Sequence, residues 1–124
     1  PDQNAWGAVP ASIIRQRAQL PPPVLGQPGP FSLGGPRVLE GVFRQAGFSN
    51  PQVCAVPVPH RIASAAEYVK VAREAFGGFN AMMAHLLPRE RESVWNEIEA
   101  AMRRFDSPGG FEVPGEGLVG VATK

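Results

Sequence analysis

Proline and glycine are the residues that most constrain how this chain can fold. Its 124 residues include fourteen of each, and most of them crowd into three segments, 21–36, 51–59 and 108–117. Proline fixes φ and lacks a backbone donor, and glycine allows turns that other residues resist. These segments are therefore expected to separate short ordered elements, with 21–36 forming an irregular loop.

The clearest helix of the sequence is expected to begin at Pro36, where a missing N–H costs nothing. Residues 38–46 then carry apolar side chains at three- and four-residue spacing, which predicts one apolar face. Gly47 is expected to end this helix in a left-handed conformation, with Phe48 packed back against Phe43.

Start and stop signals predict further helices along the rest of the chain. Ser64 with Glu67 forms a capping box, and the glycine pair 77–78 should break the helix that this box opens. These signals predict four helices. The first is a short helix after Pro10, within 4–19, and the others are at 65–76, at 79–87 and from Pro88 to Phe105.

Only two strands are predicted, over 52–59 and 116–123. In the first, Pro57 and Pro59 have the same parity, so both missing donors fall on one edge and indicate a sheet edge or a strand end. Two strands bury too little surface to stand alone as a sheet. The sequence therefore predicts an α/β protein whose sheet is completed by another chain or by a second copy.

The charge and the cysteine content limit the partners and the cellular compartment that can be expected for this chain. A formal net charge of +1 gives no electrostatic case for nucleic acid or an anionic membrane. No run approaches the length of a membrane span. The single cysteine, Cys54, excludes an intrachain disulfide and fits a reducing, cytoplasmic setting. Its apolar neighbours Val53 and Ala55 favour a buried thiol with no catalytic role.

No residue set in the sequence predicts catalysis or metal binding. There is no G-x-G-x-x-G after a strand, no Walker loop, no nucleophile elbow, and no cysteine and histidine pair with metal spacing. His60 follows a predicted strand, where a base could lie, but a lone histidine is more often structural or solvated. The sequence therefore favours no catalytic residue and no metal ligand.

Three aromatic residues are candidates for a ligand pocket. Trp6, Phe31 and Tyr68 lie in or beside irregular segments, where an aromatic side chain has less structural purpose than in a helix core. We therefore predict that these three side chains bind a substrate.

The chain resembles the C-terminal part of class I S-adenosylmethionine-dependent methyltransferases, most of all the UbiE-like, methyltransferase type 11 branch. The resemblance is carried by residues 29–78, GPFSLGGPRVLEGVFRQAGFSNPQVCAVPVPHRIASAAEYVKVAREAFGG. Asn4 and Trp6 are similar to the segment after that family's fifth strand, and VPGEGLVGVATK at 113–124 is similar to its last strand.

This resemblance implies the C-terminal part of a Rossmann-like fold with two antiparallel strands. The strand at 116–123 would be the one inserted between the fifth and sixth strands, and the strand at 52–59 would be the sixth, at the edge. The chain would form one substrate-side portion, 1–124, whose parts are a lead-in helix (1–20), the loop (21–36), a helix and strand (37–59), a helical insertion (64–105) and the last strand (116–123).

By the same resemblance, the full-length enzyme would transfer a methyl group from S-adenosylmethionine to a small-molecule acceptor. The glycine-rich cofactor loop would belong to a half missing here, so the chain alone is expected to bind no cofactor and to be inactive. Its expected partners are a second copy, a strand-swapped assembly or the missing half. The alternatives are a non-catalytic dimerisation or interaction module that uses an exposed strand, and a small ligand-binding α/β domain of another family.

Overall fold

The computed structural model describes residues 2–24 and 26–124. It divides the chain into two compact units. Unit 1 comprises Pro1–Pro22 and Pro59–Gly115, and unit 2 comprises Pro23–Val58 and Glu116–Lys124. Both units are mixed α/β, and every strand pairing in the described residues is antiparallel.

The described residues contain five α-helices and five strands. The helices are α1 (Ala5–Arg17), α2 (Val38–Gln45), α3 (Ala65–Ala75), α4 (Gly77–Met82) and α5 (Pro88–Met102). The strands are β1 (Ser49–Pro57), β2 (His60–Ile62), β3 (Asp106–Ser107), β4 (Gly110–Val113) and β5 (Glu116–Thr123). Short 3₁₀ turns at Asp2–Asn4 and Arg103–Phe105 precede α1 and follow α5.

Unit 1 packs four helices around a continuous apolar core. Ile14 of α1, Ala72 of α3, and Ile98 and Met102 of α5 are fully buried, and Phe111 of β4 joins them. Its three-stranded sheet has the order β2-β4-β3. Ser64 accepts a hydrogen bond from the backbone N–H of Glu67 at 3.1 Å, which confirms the predicted cap of α3.

Unit 2 consists of one helix and a two-stranded sheet. Strands β1 and β5 pair from Ser49 with Thr123 to Pro57 with Glu116, and an irregularity between Ser49 and Gln52 shifts the register. Helix α2 ends as predicted: Gly47 has φ +84, and the rings of Phe43 and Phe48 meet edge to face at 5.9 Å. No described residue of unit 2 is buried.

Several local expectations differ from the structure. Helix α1 begins at Ala5 and continues through Pro10 instead of beginning after it. Helix α2 begins at Val38, because Arg37 is left-handed at φ +61 and cannot be part of the helix that was expected to start at Pro36. Strand β1 spans Ser49–Pro57, not 52–59.

The second sheet was not expected from the sequence at all. Only two strands were predicted, whereas β2, β3 and β4 form a further sheet in unit 1. These three strands contain two to four residues each, too few to show an alternating apolar pattern. The glycine pair 77–78 does end α3, but it then forms the first turn of α4, so the short helix begins earlier than 79–87.

Candidate functional site

The hydroxyl of Tyr68 completes helix α1 at the point where Pro10 interrupts it. Proline has no N–H, so Pro10 cannot donate to the carbonyl oxygen of Trp6, four residues earlier. The Tyr68 hydroxyl, from α3, donates to that oxygen instead. Two of the three predicted pocket residues are therefore in direct contact, and a structural requirement accounts for that contact.

Tyr68 lies inside the core of unit 1. Only 2% of its surface is exposed, and its ring stacks on Phe111 with the centroids 5.4 Å apart. Burial raises the pKa of the Tyr68 phenol above its ordinary value, so this side chain is neutral at physiological pH. As placed here, Tyr68 presents almost no surface to a ligand, and its chemistry is that of a neutral hydrogen-bond donor.

Trp6 forms the more accessible part of the same cluster. Its ring lies 5.0 Å from the His60 ring and 5.4 Å from the Phe76 ring, and its Nε1 donates to Asn4 Oδ1 at 3.1 Å. Both Trp6 and His60 are half-buried. We name Trp6, His60, Phe76 and Tyr68 the aromatic cluster. This cluster brings two predicted site residues and a histidine together in unit 1.

Phe31 belongs to unit 2, in the loop rich in proline and glycine. Two short turns order this part of the loop: the Ser32 N–H donates to the Gly29 carbonyl at 3.1 Å, and the Gly34 N–H to the Phe31 carbonyl at 3.0 Å. The Phe31 ring is 44% exposed. The three predicted pocket residues are thus divided between the units, two in unit 1 and one in unit 2.

An open groove on the small sheet of unit 1 was missed in the sequence. Arg61 and Ile62 of β2 line it together with Gly110 and Phe111 of the neighbouring β3–β4 hairpin. Arg61 and Glu112 pair across the strands at 2.5 Å. Ser107 and Gly110 pair with each other across Pro108 and Gly109. Proline followed by glycine is typical of turns, so this sequence could have predicted the hairpin.

The sheet of unit 2 has one covered face and one open face. An added Cβ at Gly120 would lie 2.6 Å from Phe43 and 3.3 Å from Leu39, so this position of β5 lies directly under α2. Side chains alternate along a strand, which places Val119 and Val121 on the opposite face. They are 52% and 61% exposed.

Cys54 lies on that open face, opposite Val119. It is exposed, so the expectation of a buried thiol was wrong. Its apolar neighbours Val53 and Ala55 were correctly identified as strand residues, but no described element of unit 2 covers the face on which Cys54 lies.

The edges of this sheet are open as well. Strand β5 pairs with β1 on one side, and no other described strand pairs with it. Its edge therefore carries backbone groups that another strand could bond, and Leu118, Val119 and Val121 along it are exposed. This edge and the open face beside it form a feature of unit 2 suited to an interaction.

Within residues 2–24 and 26–124, no group of three or more histidine, cysteine, aspartate or glutamate residues could hold a metal ion. Over the same residues, no helix has the length and apolar character needed to cross a membrane.

Comparison of the chain with protein-family models, with curated proteins and with solved structures found no match.

Proposed function

We propose that this chain is the C-terminal, substrate-side portion of a class I S-adenosylmethionine-dependent methyltransferase of the UbiE-like branch. One observation supports the proposal most. Helix α2 is followed by β1, and β5 pairs antiparallel with β1 while its other edge has no described partner strand. The resemblance implies this order of helix, edge strand and antiparallel inner strand.

In this proposal, the open edge of β5 receives the fifth strand of the complete Rossmann-like sheet. The residues between β1 and β5, which form most of unit 1, are then the insertion on the substrate side. Trp6 would contact the methyl acceptor, a small molecule. Tyr68 would act behind this side chain, because it holds the backbone of Trp6 in place.

The described residues have no glycine-rich turn between a strand and a helix that could hold the cofactor. S-adenosylmethionine, bound by the other half of the enzyme, would supply the methyl group and leave as S-adenosylhomocysteine. The contribution of this chain would be to position the acceptor and to exclude water from it. Positioning alone supplies a large share of the rate of such a displacement, so few catalytic side chains are required.

The test starts from the reading frame that encodes the chain. We expect its upstream part to encode a glycine-rich loop after a strand, and the longer polypeptide to bind S-adenosylmethionine with micromolar affinity in a calorimeter. The 124-residue chain is expected to bind none. A frame without such a segment, or a longer polypeptide that does not bind S-adenosylmethionine, would contradict the proposal.

A second function is favoured by the exposure of β5. The chain would then be a non-catalytic interaction module that associates through this strand, since an apolar open edge is a template for pairing. This proposal predicts association of the 124-residue chain without any cofactor, which light scattering measures. Both proposals retain the prediction of a cytoplasmic protein.

A further inference from the structure

Strand β5 carries one charge at each end and none between them. Glu116 is its first residue, and Lys124 directly follows its last residue, Thr123. The residues between Glu116 and Lys124 are uncharged. When two copies of such a strand lie antiparallel, the acidic end of each lies beside the basic end of the other. The strand is therefore complementary in charge to itself.

The backbone fixes which registers such a pair can use. Along a strand, the N–H and C=O groups point alternately to one edge and the other, so residues that face each other across an antiparallel pair either both point to the shared edge or both point away from it. In a symmetric pair of identical strands, facing residues then differ by an even number. A two-fold axis at Gly120 satisfies this rule and brings Glu116 opposite Lys124.

We propose that β5 pairs antiparallel with β5 of a second copy of this chain, centred on Gly120. Each copy then contributes two strands to one four-stranded sheet of order β1-β5-β5-β1. The sheet would have three ladders instead of one, and strands in sheets of three or more are stable where an isolated pair is marginal. The inference rests on the interaction function proposed for β5 and does not require the methyltransferase assignment.

Two further features favour a second copy at this edge. Val119 of one copy would face Val121 of the other, and pairs of β-branched residues stabilise neighbouring strands. These valines lie on the open face and are among the most exposed apolar residues of the chain. Strand β1, in contrast, contains Pro51 and Pro57 and so lacks two backbone donors, whereas β5 contains no proline.

Charge reversal tests the register without disturbing a buried residue. The unaltered chain is expected to be a dimer in sedimentation experiments. Glu116→Lys places lysine beside Lys124 of the other copy, and Lys124→Glu places two carboxylates together, so each should raise the dimer Kd about tenfold. The double variant Glu116→Lys/Lys124→Glu restores opposite charges and should return the Kd to within about threefold of the original.

The matched control for Lys124→Glu is Arg89→Glu. Arg89 is exposed in the first turn of α5, and its reversal changes the net charge by the same amount. A carboxylate near a helix N-terminus is not destabilising. This variant should leave the dimer Kd within about twofold of the original, which separates the effect of the pairing site from that of total charge.

A lysine within the shared ladder tests the edge itself. Val121→Lys puts a charge where Val119 of the second copy would lie, and this should yield a monomer, because charged residues protect strand edges from pairing. Val24→Lys is the control, since Val24 is 62% exposed in unit 2, as Val121 is 61% exposed. Val24→Lys should remain dimeric.

Cys54 provides a distance measurement, because it is exposed and is the only cysteine. In the proposed dimer, the two Cys54 residues are separated by three strand spacings and an offset of two residues, about 16 Å between Cα atoms. Spin labels on Cys54 should report a separation compatible with this value. A separation beyond about 30 Å would place the contact elsewhere.

The proposal is overturned if the chain is monomeric at tens of micromolar, if single charge reversals leave the Kd unchanged, or if the double variant does not restore it. These outcomes are independent of S-adenosylmethionine binding by the longer polypeptide. Failure of that binding with an intact dimer contradicts only the methyltransferase proposal. A monomeric 124-residue chain beside a cofactor-binding longer polypeptide contradicts only the pairing of β5 with itself.

Discussion

The two units bury apolar surface to very different extents. Every hydrophobic residue of the buried core lies in unit 1, and no described residue of unit 2 is buried. Both units have an amphipathic helix and paired strands, so the local patterns that predict helices and strands do not distinguish the two units. The difference is that unit 1 closes its elements around each other, whereas the described residues of unit 2 leave one face and the outer edges of the sheet open. The buried core of unit 1 is a source of stability that the described residues of unit 2 do not have.

The largest test of this difference is truncation of the core of unit 1. Ile98→Ala removes a fully buried side chain of α5 and should lower the free energy of unfolding by about 2–5 kcal/mol. Val24→Ala in unit 2 removes an exposed side chain and should change it by less than about 0.5 kcal/mol. Denaturant unfolding measures both. Equal costs at the two positions would contradict the contrast between the units.

The next effect concerns the contact between α1 and α3. Tyr68→Phe leaves the carbonyl of Trp6 without its donor and should cost about 1–3 kcal/mol of unfolding free energy. Pro10→Ala supplies an N–H to the same oxygen from within the helix, so Tyr68→Phe should cost less in that background. A double-mutant cycle measures this coupling. Additive costs would show that Tyr68 does not compensate for Pro10.

Alkaline unfolding tests the burial of the same residue. The pKa of Tyr68 is raised in the folded chain, so above pH ~10 the unfolded chain loses the phenolic proton first. Stability is therefore complete below pH ~10 and should fall by about 1.4 kcal/mol per pH unit above it, until the folded form ionises. Because Tyr68 is the only tyrosine, tyrosinate absorbance reports it alone. Ionisation at the ordinary pKa before unfolding would contradict its burial.

The smallest effect probes the contact between α2 and β5 in unit 2. Gly120→Ala would place a Cβ 2.6 Å from the Phe43 ring, which must shift, and should cost about 1 kcal/mol of unfolding free energy. Gly117→Ala is the control, since its Cβ would meet Val58 at an ordinary 3.5 Å. Phe43→Leu should reduce the cost of Gly120→Ala. If both glycine variants behave alike, α2 does not pack on β5 as described.

Local signals in the sequence predicted element ends well where the chemistry involves neighbouring residues. The hydroxyl of Ser64 reaches the N–H of Glu67 within one turn, and Gly47 with Phe48 closes α2 through residues close in sequence. The bounds of β5 also agree with the sequence, because Pro114 and Gly115 directly precede a short run of mostly apolar residues. The substrate-binding role of Trp6, Phe31 and Tyr68 stays a prediction: Trp6 and Tyr68 meet in unit 1, and Phe31 lies in unit 2.

What the sequence determined by itself is the cap of α3 at Ser64, the end of α2 at Gly47 and the bounds of β5, a short apolar strand that begins at Glu116 and is followed by Lys124. Tertiary structure decided the rest. Pro10 remains inside a helix because a hydroxyl 58 positions later, at Tyr68, replaces its missing donor. Cys54 is exposed because no described element of unit 2 covers its face. Hydrogen bonds and burial between distant residues depend on which surfaces meet, and a local pattern does not contain that information.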